Sequence, residues 1–257
     1  MVGPSITLCM FPDPPATGIG KYSAVPKEWV EEVWSWLLAR SVGAQSLTVR
    51  TMVPFSVDVM AAKQLLDDAR NGRLGDFAVV SAANARQTAV VQGYFAWGQL
   101  ACSTVFTSSR LDDLVQAADQ LKDLARHLAS GAALAYLALE PHLGNQLTVF
   151  PYSSDDPMRG SLQSTAQLTD ELLFDVFPWQ ILGPRHIGRL GTTPRGAVGL
   201  PNGRYELGFG ELGDWLPQTP TRQALRSLAE GQLAACLPTS VDADALVRLR
   251  WGRQNSA

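Results

Sequence analysis

The segment AALAYLALEP, residues 132–141, limits the folds open to this chain more than any other part of it. Successive side chains of a strand point to opposite faces, so both faces of this segment would be hydrophobic if it were extended. A strand of that kind is stable in the middle of a sheet that is covered on both sides. We therefore expect residues 132–141 to form a central strand.

Other segments have the pattern of strands joined by short turns. Three runs rich in Val, Phe, Tyr and Thr follow one another, and their short connections suit hairpins and not helical crossovers. Further along the chain, Asn202 and Gly203 supply the turn of another predicted hairpin. The predicted strands are SITLCMF, SLTVRTMVP, DFAVVSA, TAVVQGYFAW, LACSTVFT and the two arms of AVGLPNGRYELGFGEL.

Segments with the apolar periodicity of helices lie between these groups of strands. A first helix is predicted from Pro26 to Arg40, and a second follows with Asp58 as its N-cap. A third begins with a capping box of Ser109 and Asp112. We expect its apolar stripe to be buried, namely Leu111, Leu114, Val115, Ala118, Leu121, Ala125 and Leu128. The last two predicted helices are Thr221 to Cys236 and Asp242 to Arg250.

Strands in runs, helices between the runs and hairpin connections together predict an α+β fold. We expect a mainly antiparallel or mixed sheet with helices packed on it, in a single domain over residues 1–257. A subdivision near residue 109 and an arrangement in two similar halves both stay open, because each half pairs helices with strands.

The charge pattern argues against nucleic acid and membranes as direct partners. The net charge is −3, and Lys and Arg are scattered along the chain instead of forming the runs that track phosphates. The chain has no apolar run of the length that a membrane helix requires, and its N-terminus lacks the basic region of a signal peptide. We therefore expect a cytoplasmic protein whose three cysteines are reduced.

No motif in the chain predicts catalysis, a cofactor or a metal site. TGIGKY resembles a phosphate-binding loop, but Pro15 and Tyr22 stand where that loop needs Gly and Ser or Thr. The three histidines do not form a zinc-binding pair on one helix face, and the G-x-S-x-G motif of a hydrolase serine is absent.

The segment DVFPWQILGPRHIGRLG, residues 175–191, is dense in residue types that occur in active sites, yet its pattern is that of a structural corner. VFPWQIL predicts a strand, Pro184 suits the first turn of a short helix, and Gly191 suits the end of that helix. The side chains expected in the core are Leu182, Ile187 and Leu190, and those expected to face water are Arg185, His186 and Arg189.

The run FPWQILGPRHIGRLG also resembles a pattern found in bacterial immunity proteins: a tryptophan, a few apolar residues, Gly-Pro, a short helix and Leu-Gly. These proteins include the type VI secretion immunity family associated with nuclease effectors. The upstream LARHLASGAALAYLAL is similar to that family's helix, glycine and apolar strand, and LPNGRYELGFGE is similar to its later strand. The resemblance covers residues 111–216.

This resemblance implies a protein that is not an enzyme and that binds a cognate toxin, with a nuclease among the candidates. The protein would block the toxin's active site in the cytoplasm of the producing cell. Such binding requires a few buried anchors, and no catalytic residue, metal or cofactor. A mildly acidic chain suits a basic partner. The candidate partner contacts lie in predicted exposed loops and are Asp155, Asp156, Arg159 and Trp215.

Two other functions stay open. An enzyme of another family would gather His142, Asp155 and Asp156 from loops at one edge of the sheet, with Arg185 or His186 beside them. An adaptor component of a secretion or defence assembly would need no such group.

Overall fold

The structure is a computed structural model, and it describes residues 4–13, 26–40, 46–50, 55–58, 77–83, 87–94, 102–108, 110–141, 170–173, 175–216 and 219–237. The α-helices of these segments are α1 (Lys27–Arg40), α2 (Leu111–Leu128), α3 (Pro184–Leu190) and α4 (Arg222–Leu233). Short 3₁₀ helices lie at Ala129–Gly131, Pro201–Gly203, Leu212–Trp215 and Ala234–Cys236.

Ten strands of the described residues form one sheet, and every neighbouring pair is antiparallel. The strands are β1 (Pro4–Pro12), β2 (Ser46–Arg50), β3 (Phe55–Asp58), β4 (Phe77–Ala83), β5 (Gln87–Tyr94), β6 (Cys102–Ser108), β7 (Ala132–Pro141), β8 (Trp179–Leu182), β9 (Val198–Leu200) and β10 (Arg204–Gly208). Their order across the sheet is β3, β2, β4, β5, β6, β1, β7, β8, β10, β9. The predicted α+β fold with a mainly antiparallel sheet is therefore confirmed.

The segment AALAYLALEP forms β7, which lies between β1 and β8. Every side chain from Ala132 to Leu139 is buried, as the apolar character of both faces predicted. Antiparallel pairing with β1 joins the strands on either side of residue 109 into one sheet. Within the described residues, the six strands before residue 109 and the four after it differ in number and order, so no repeat of topology is visible there.

Helices α1 and α2 cover one face of the sheet. They contact each other, α1 contacts β4, β5 and β6, and α2 contacts β6, β1 and β7. Leu137 of β7 pairs in register with Trp179, and both side chains lie on the α2 side of the sheet. Because successive side chains of a strand point to opposite faces, Tyr136 points to the other side. There the ring of Phe177 stacks on Tyr136, with 3.9 Å between ring centroids and 4° between ring planes. The centre of the sheet is therefore covered on both sides.

Two local predictions differ from the structure. Asp58 was expected to cap a helix but is the last residue of strand β3. Helix α2 begins at Leu111 with Arg110 as its N-cap residue, one position later than the N-cap predicted at Ser109, and the capping box of Ser109 and Asp112 involves a residue that lies outside the described ones. The sheet takes the chain up to Ser108 and leaves only two residues before the helix. The remainder of the second predicted helix and the predicted helix from Asp242 lie outside the described residues.

The hairpin of β9 and β10 is tied to the centre of the sheet by a buried arginine. Arg204 is 3% exposed and its Nε donates to the carbonyl oxygen of Ala132 at 2.7 Å. Its Nη2 donates to the carboxylate of Asp13, at the end of β1. The turn residue Asn202 adopts φ 60° and its amide donates to the Ser130 carbonyl at 3.3 Å. These contacts hold the hairpin in one position against β1 and β7.

Gly183, at the corner between β8 and α3, lies against the backbone of β7. Its N–H donates to the Ala133 carbonyl at 2.9 Å, and a Cβ at this position would lie only 2.6 Å from that oxygen. The backbone of a central strand cannot move aside cheaply, because it is fixed by hydrogen bonds to both neighbouring strands. Close packing of this corner therefore requires glycine at residue 183.

We expect Gly183→Ala to lower the free energy of unfolding by about 2 kcal/mol, the usual size of an overpacking defect. Gly188→Ala is the matched control, since residue 188 lies in α3 and a Cβ there would meet nothing within 4 Å. Alanine is the better helix former, so we expect Gly188→Ala to raise the free energy of unfolding by about 0.5 to 1 kcal/mol. Urea denaturation of both variants measures the contrast, and equal effects would contradict the close approach at Gly183.

Candidate partner-binding surface

The predicted loop contacts fall mostly outside the described residues. Asp155, Asp156 and Arg159 all lie there, as does His142 of the alternative enzyme site. Their grouping around a loop therefore stays a prediction.

Trp215, the fourth predicted contact, is a core residue. Its side chain is 3% exposed, and its indole N–H donates to the carbonyl oxygen of Phe209 at 2.6 Å. The expectation that Trp215 is partly exposed is wrong, because the 3₁₀ helix Leu212–Trp215 turns the ring inwards beneath α4. Its burial leaves this side chain unable to anchor a partner on the surface of this fold.

His186 was expected to face water, and the structure places it in the core with no exposed surface. Neither ring nitrogen has a hydrogen bond of good geometry among the described residues. Burial lowers the pKa of His186 to about 4, although the Leu172 backbone and the carboxylate of Glu171 both favour the charged form. The ring is therefore neutral at physiological pH and packs as an apolar side chain.

Arg185 is exposed, as predicted, and forms ion pairs with the chain that precedes the corner. Its Nη1 donates to the Asp170 carboxylate at 2.6 Å and lies 3.5 Å from a carboxylate oxygen of Glu171. On the same helix, Arg189 donates to the carbonyl oxygen of Ala235 at 2.5 Å. These contacts attach α3 to its neighbours, so the arginines of residues 175–191 have structural roles.

A second polar network ties α2 to the sheet. Arg126 donates two hydrogen bonds of 2.7 Å to the Glu206 carboxylate, and the indole N–H of Trp179 donates a third at 2.6 Å. Burial raises the pKa of Glu206, but these donors outweigh that effect and hold it below its usual range. The network fixes the C-terminal end of α2 over β8 and β10.

The described residues contain no group of three His, Cys, Asp or Glu side chains close enough to hold a metal ion. In that same part of the chain, none of the helices has both the length and the apolar character of a membrane span. The thiols of Cys9 and Cys236 are buried, and burial raises the pKa of Cys236 to about 11. Cys236 is therefore protonated and unsuited to nucleophilic attack at neutral pH.

The N-terminal turns of α2 leave two large apolar side chains at the surface. Leu111 is 42% exposed and Val115 is 38% exposed, although both belong to the stripe that was expected to be buried. The rest of that stripe is buried as predicted. Because residues four apart are neighbours on a helix, Leu111 and Val115 form one contiguous apolar patch.

The 3₁₀ helix Leu212–Trp215 packs beside this patch without covering it. Helix α2 contacts it, and a Cβ at Gly213 would lie 3.6 Å from Cδ2 of Leu111. Any longer side chain at residue 213 would reach across Leu111, so the glycine keeps the leucine accessible.

Carboxylates lie close to the apolar patch along the chain. Asp112 has a side chain that is 90% exposed, and Asp113 follows it in the same helical turn. Glu211 and Asp214 lie on either side of Gly213 and form a capping box at the start of the 3₁₀ helix. We call this set the Leu111 surface: Leu111, Val115 and Gly213 with Asp112, Glu211 and Asp214.

The sequence contained a signal for this surface that the stripe prediction overlooked. Residues of an α-helix are about 100° apart, so Val115 lies more than a quarter turn from Leu114, at the margin of the buried arc. Whether a residue at that margin is buried depends on the neighbouring element, and here that element presents Gly213.

No model of a protein family matches the chain, and no curated protein matches it.

Proposed function

We propose that this protein is an immunity protein, which binds a cognate toxin in the cytoplasm of the producing cell and blocks the toxin's active site. The observation that carries the proposal is the Leu111 surface. Two adjacent apolar side chains at the surface, with a polar rim, have the composition of a protein-binding site with a small hydrophobic core.

The rigidity of this surface supports stoichiometric inhibition. Helix α2 is held by its buried residues and by the bonds of Arg126 to Glu206, and the neighbouring 3₁₀ helix is held by Trp215 and its capping box. A preformed surface loses little conformational entropy when it binds, so more of the interaction energy appears as affinity. The segment 175–191, which resembles immunity proteins, contains strand β8 and helix α3. Its strand belongs to the sheet on which α2 packs.

The direct test examines whether a gene next to this one encodes a toxin and, where it does, uses that toxin made catalytically inactive by substitution of its own active-site residue. We expect isothermal titration calorimetry to give one-to-one binding with a dissociation constant in the nanomolar range. We also expect the purified protein to abolish the activity of the unmodified toxin at equimolar ratio, and its co-expression to restore growth of cells that produce the toxin.

The proposal fails if the two purified proteins do not associate at micromolar concentration, or if they associate and the toxin keeps its activity. The control for this assay is the variant Val198→Ser. Val198 is an exposed large apolar residue like Leu111 and Val115, but it lies on strand β9, and its loss should leave inhibition intact.

A further inference from the structure

Two segments close over the ring of His186 and leave it with no exposed surface. One is residues 170–173, which we call the closing segment, and the other is the 3₁₀ helix Ala234–Cys236, which contacts α3. The thiol of Cys236 donates to the carbonyl oxygen of His186 at 3.5 Å. The two segments are joined to each other, because the N–H of Leu173 donates to the carbonyl oxygen of Cys236 at 2.8 Å.

We propose that protonation of His186 opens the closing segment locally while the sheet stays folded. An imidazolium that is fully enclosed loses its hydration, which is costly unless polar partners replace the water. Neither ring nitrogen of His186 has such a hydrogen-bond partner among the described residues. Movement of the closing segment returns water to the ring. The open form therefore binds the proton more tightly than the closed form, and protonation shifts the equilibrium towards it.

Within the described residues, the groups that act on the charge of His186 do not offset its enclosure. The carboxylate of Glu171 and the backbone of Leu172 favour the protonated ring, whereas the guanidinium of Arg189 on α3 opposes it. Burial is the largest of these effects and lowers the pKa of His186 to about 4. An imidazolium in the closed form is thus unfavourable in mild acid.

The other ionisable groups of this region add little to the charge of the enclosure. Both carboxylates of the closing segment already contact a cation, since Asp170 lies 2.6 Å and Glu171 3.5 Å from the Nη1 of Arg185. The thiol of Cys236 is uncharged at neutral and acid pH, because burial raises its pKa to about 11. Water is therefore the compensation that opening supplies.

The closing segment is the part of the enclosure that moves at the lowest cost. It belongs to no helix or strand, and among the described residues the bond from Leu173 to Cys236 is the only backbone hydrogen bond that joins it to another segment. Helix α3, in contrast, follows β8 after one residue, Gly183, which is bonded to the backbone of β7. Segments with few backbone hydrogen bonds open at a lower free energy than paired strands.

Two buried cysteines distinguish local opening from global unfolding. Cys236 belongs to the 3₁₀ helix that is bonded to the closing segment, so a thiol reagent reaches it when that segment opens. Cys9 is buried in β1, which is paired with β6 on one side and with β7 on the other, so it reacts when the sheet unfolds.

The test labels the full chain with dithiodipyridine, an aromatic disulfide that reacts with thiols in mild acid as well as at neutral pH. Peptide mass spectrometry then measures Cys9 and Cys236 separately. Each labelling rate is divided by the rate of the same cysteine in the urea-unfolded protein at the same pH, which removes the ionisation of the thiol itself. No partner protein is needed, so the outcome is independent of the proposed function.

We expect the normalised rate of Cys236 to be about 30-fold higher at about pH 5 than at about pH 7.5, the factor for a pKa of about 4 in the closed form and 6.5 in the open form. Cys9 should be labelled far more slowly than Cys236 at both pH values. In His186→Gln and His186→Leu, which cannot take up the proton, the rate of Cys236 should not rise in acid.

Three results would overturn the proposal. Equal normalised rates for Cys9 and Cys236 would show that the reagent enters through global unfolding. A rate of Cys236 that does not rise in acid would show that the closed form accommodates the proton. A rise that persists in both His186 variants would show that another group is the trigger. Slow labelling of Cys9 at neutral pH verifies that each variant is folded.

Discussion

Phe177→Ala is expected to lower the free energy of unfolding by about 4 kcal/mol, the usual cost of removing a buried aromatic ring. Phe177 is 1% exposed and its ring stacks on Tyr136, which in turn stacks on Phe11 with 6.1 Å between centroids. Alanine would remove the covering of the centre of the sheet and leave a cavity against β7. Equilibrium denaturation in urea measures the loss.

Phe177→Leu is the matched variant for this experiment, because leucine keeps most of the apolar volume and loses only the stacked geometry. We expect it to cost about 1 to 1.5 kcal/mol, as near-volume-conserving swaps do. Should alanine cost no more than leucine, the ring of Phe177 would not be packed as the structure describes.

Acidification is expected to destabilise the protein through His186, by about 3 kcal/mol between neutral pH and pH 4. Burial lowers the pKa of this side chain in the folded protein to about 4, while an unfolded chain has the ordinary value of 6.5. As the pH falls below about 6.5, the unfolded state binds a proton that the folded state does not bind, and the free energy of unfolding decreases. Below about pH 4 both states are protonated and the effect is complete.

The measurement is the free energy of unfolding at several pH values for wild type and for His186→Gln, which cannot take up the proton. As the pH is lowered from 6.5 to 4, the free energy of unfolding of wild type should fall relative to that of His186→Gln by up to about 1.4 kcal/mol per pH unit. The carboxylates titrate in both proteins, so their contribution cancels in this comparison. A difference between wild type and His186→Gln that is constant with pH would show that His186 is not buried as described.

The segments with strong local patterns were predicted correctly. The apolar run 132–141 is a central strand, and Pro184 begins helix α3 while Gly191, at φ 72°, ends it. The Asn202-Gly203 turn joins β9 and β10. Backbone dihedral preferences and the period of side-chain direction act over a few residues, so a short stretch of sequence contains the information needed.

The candidate site was not predictable in the same way. The sequence suggested partner contacts at Trp215, which the structure buries, and burial for Leu111 and Val115, which the structure exposes. His186 lies in a helix with alternating polar and apolar positions, where solvent exposure was the simpler expectation. The errors at Leu111, Val115 and His186 concern residues at the margin of an apolar helix face, where the helical period leaves the outcome undecided, whereas Trp215 lies in a segment that was predicted to be a loop.

The sequence by itself determined the α+β class, the antiparallel hairpins and the core of each apolar stripe, because these follow from local conformation and from the cost of exposing large apolar faces. Only the tertiary structure decided which marginal side chains are covered. Leu111 is exposed because the distant segment that packs beside it presents Gly213, and His186 is buried because the chain at Leu172 and at Cys236 closes over it. Contacts between remote segments depend on how the whole sheet is assembled, and no local pattern encodes them.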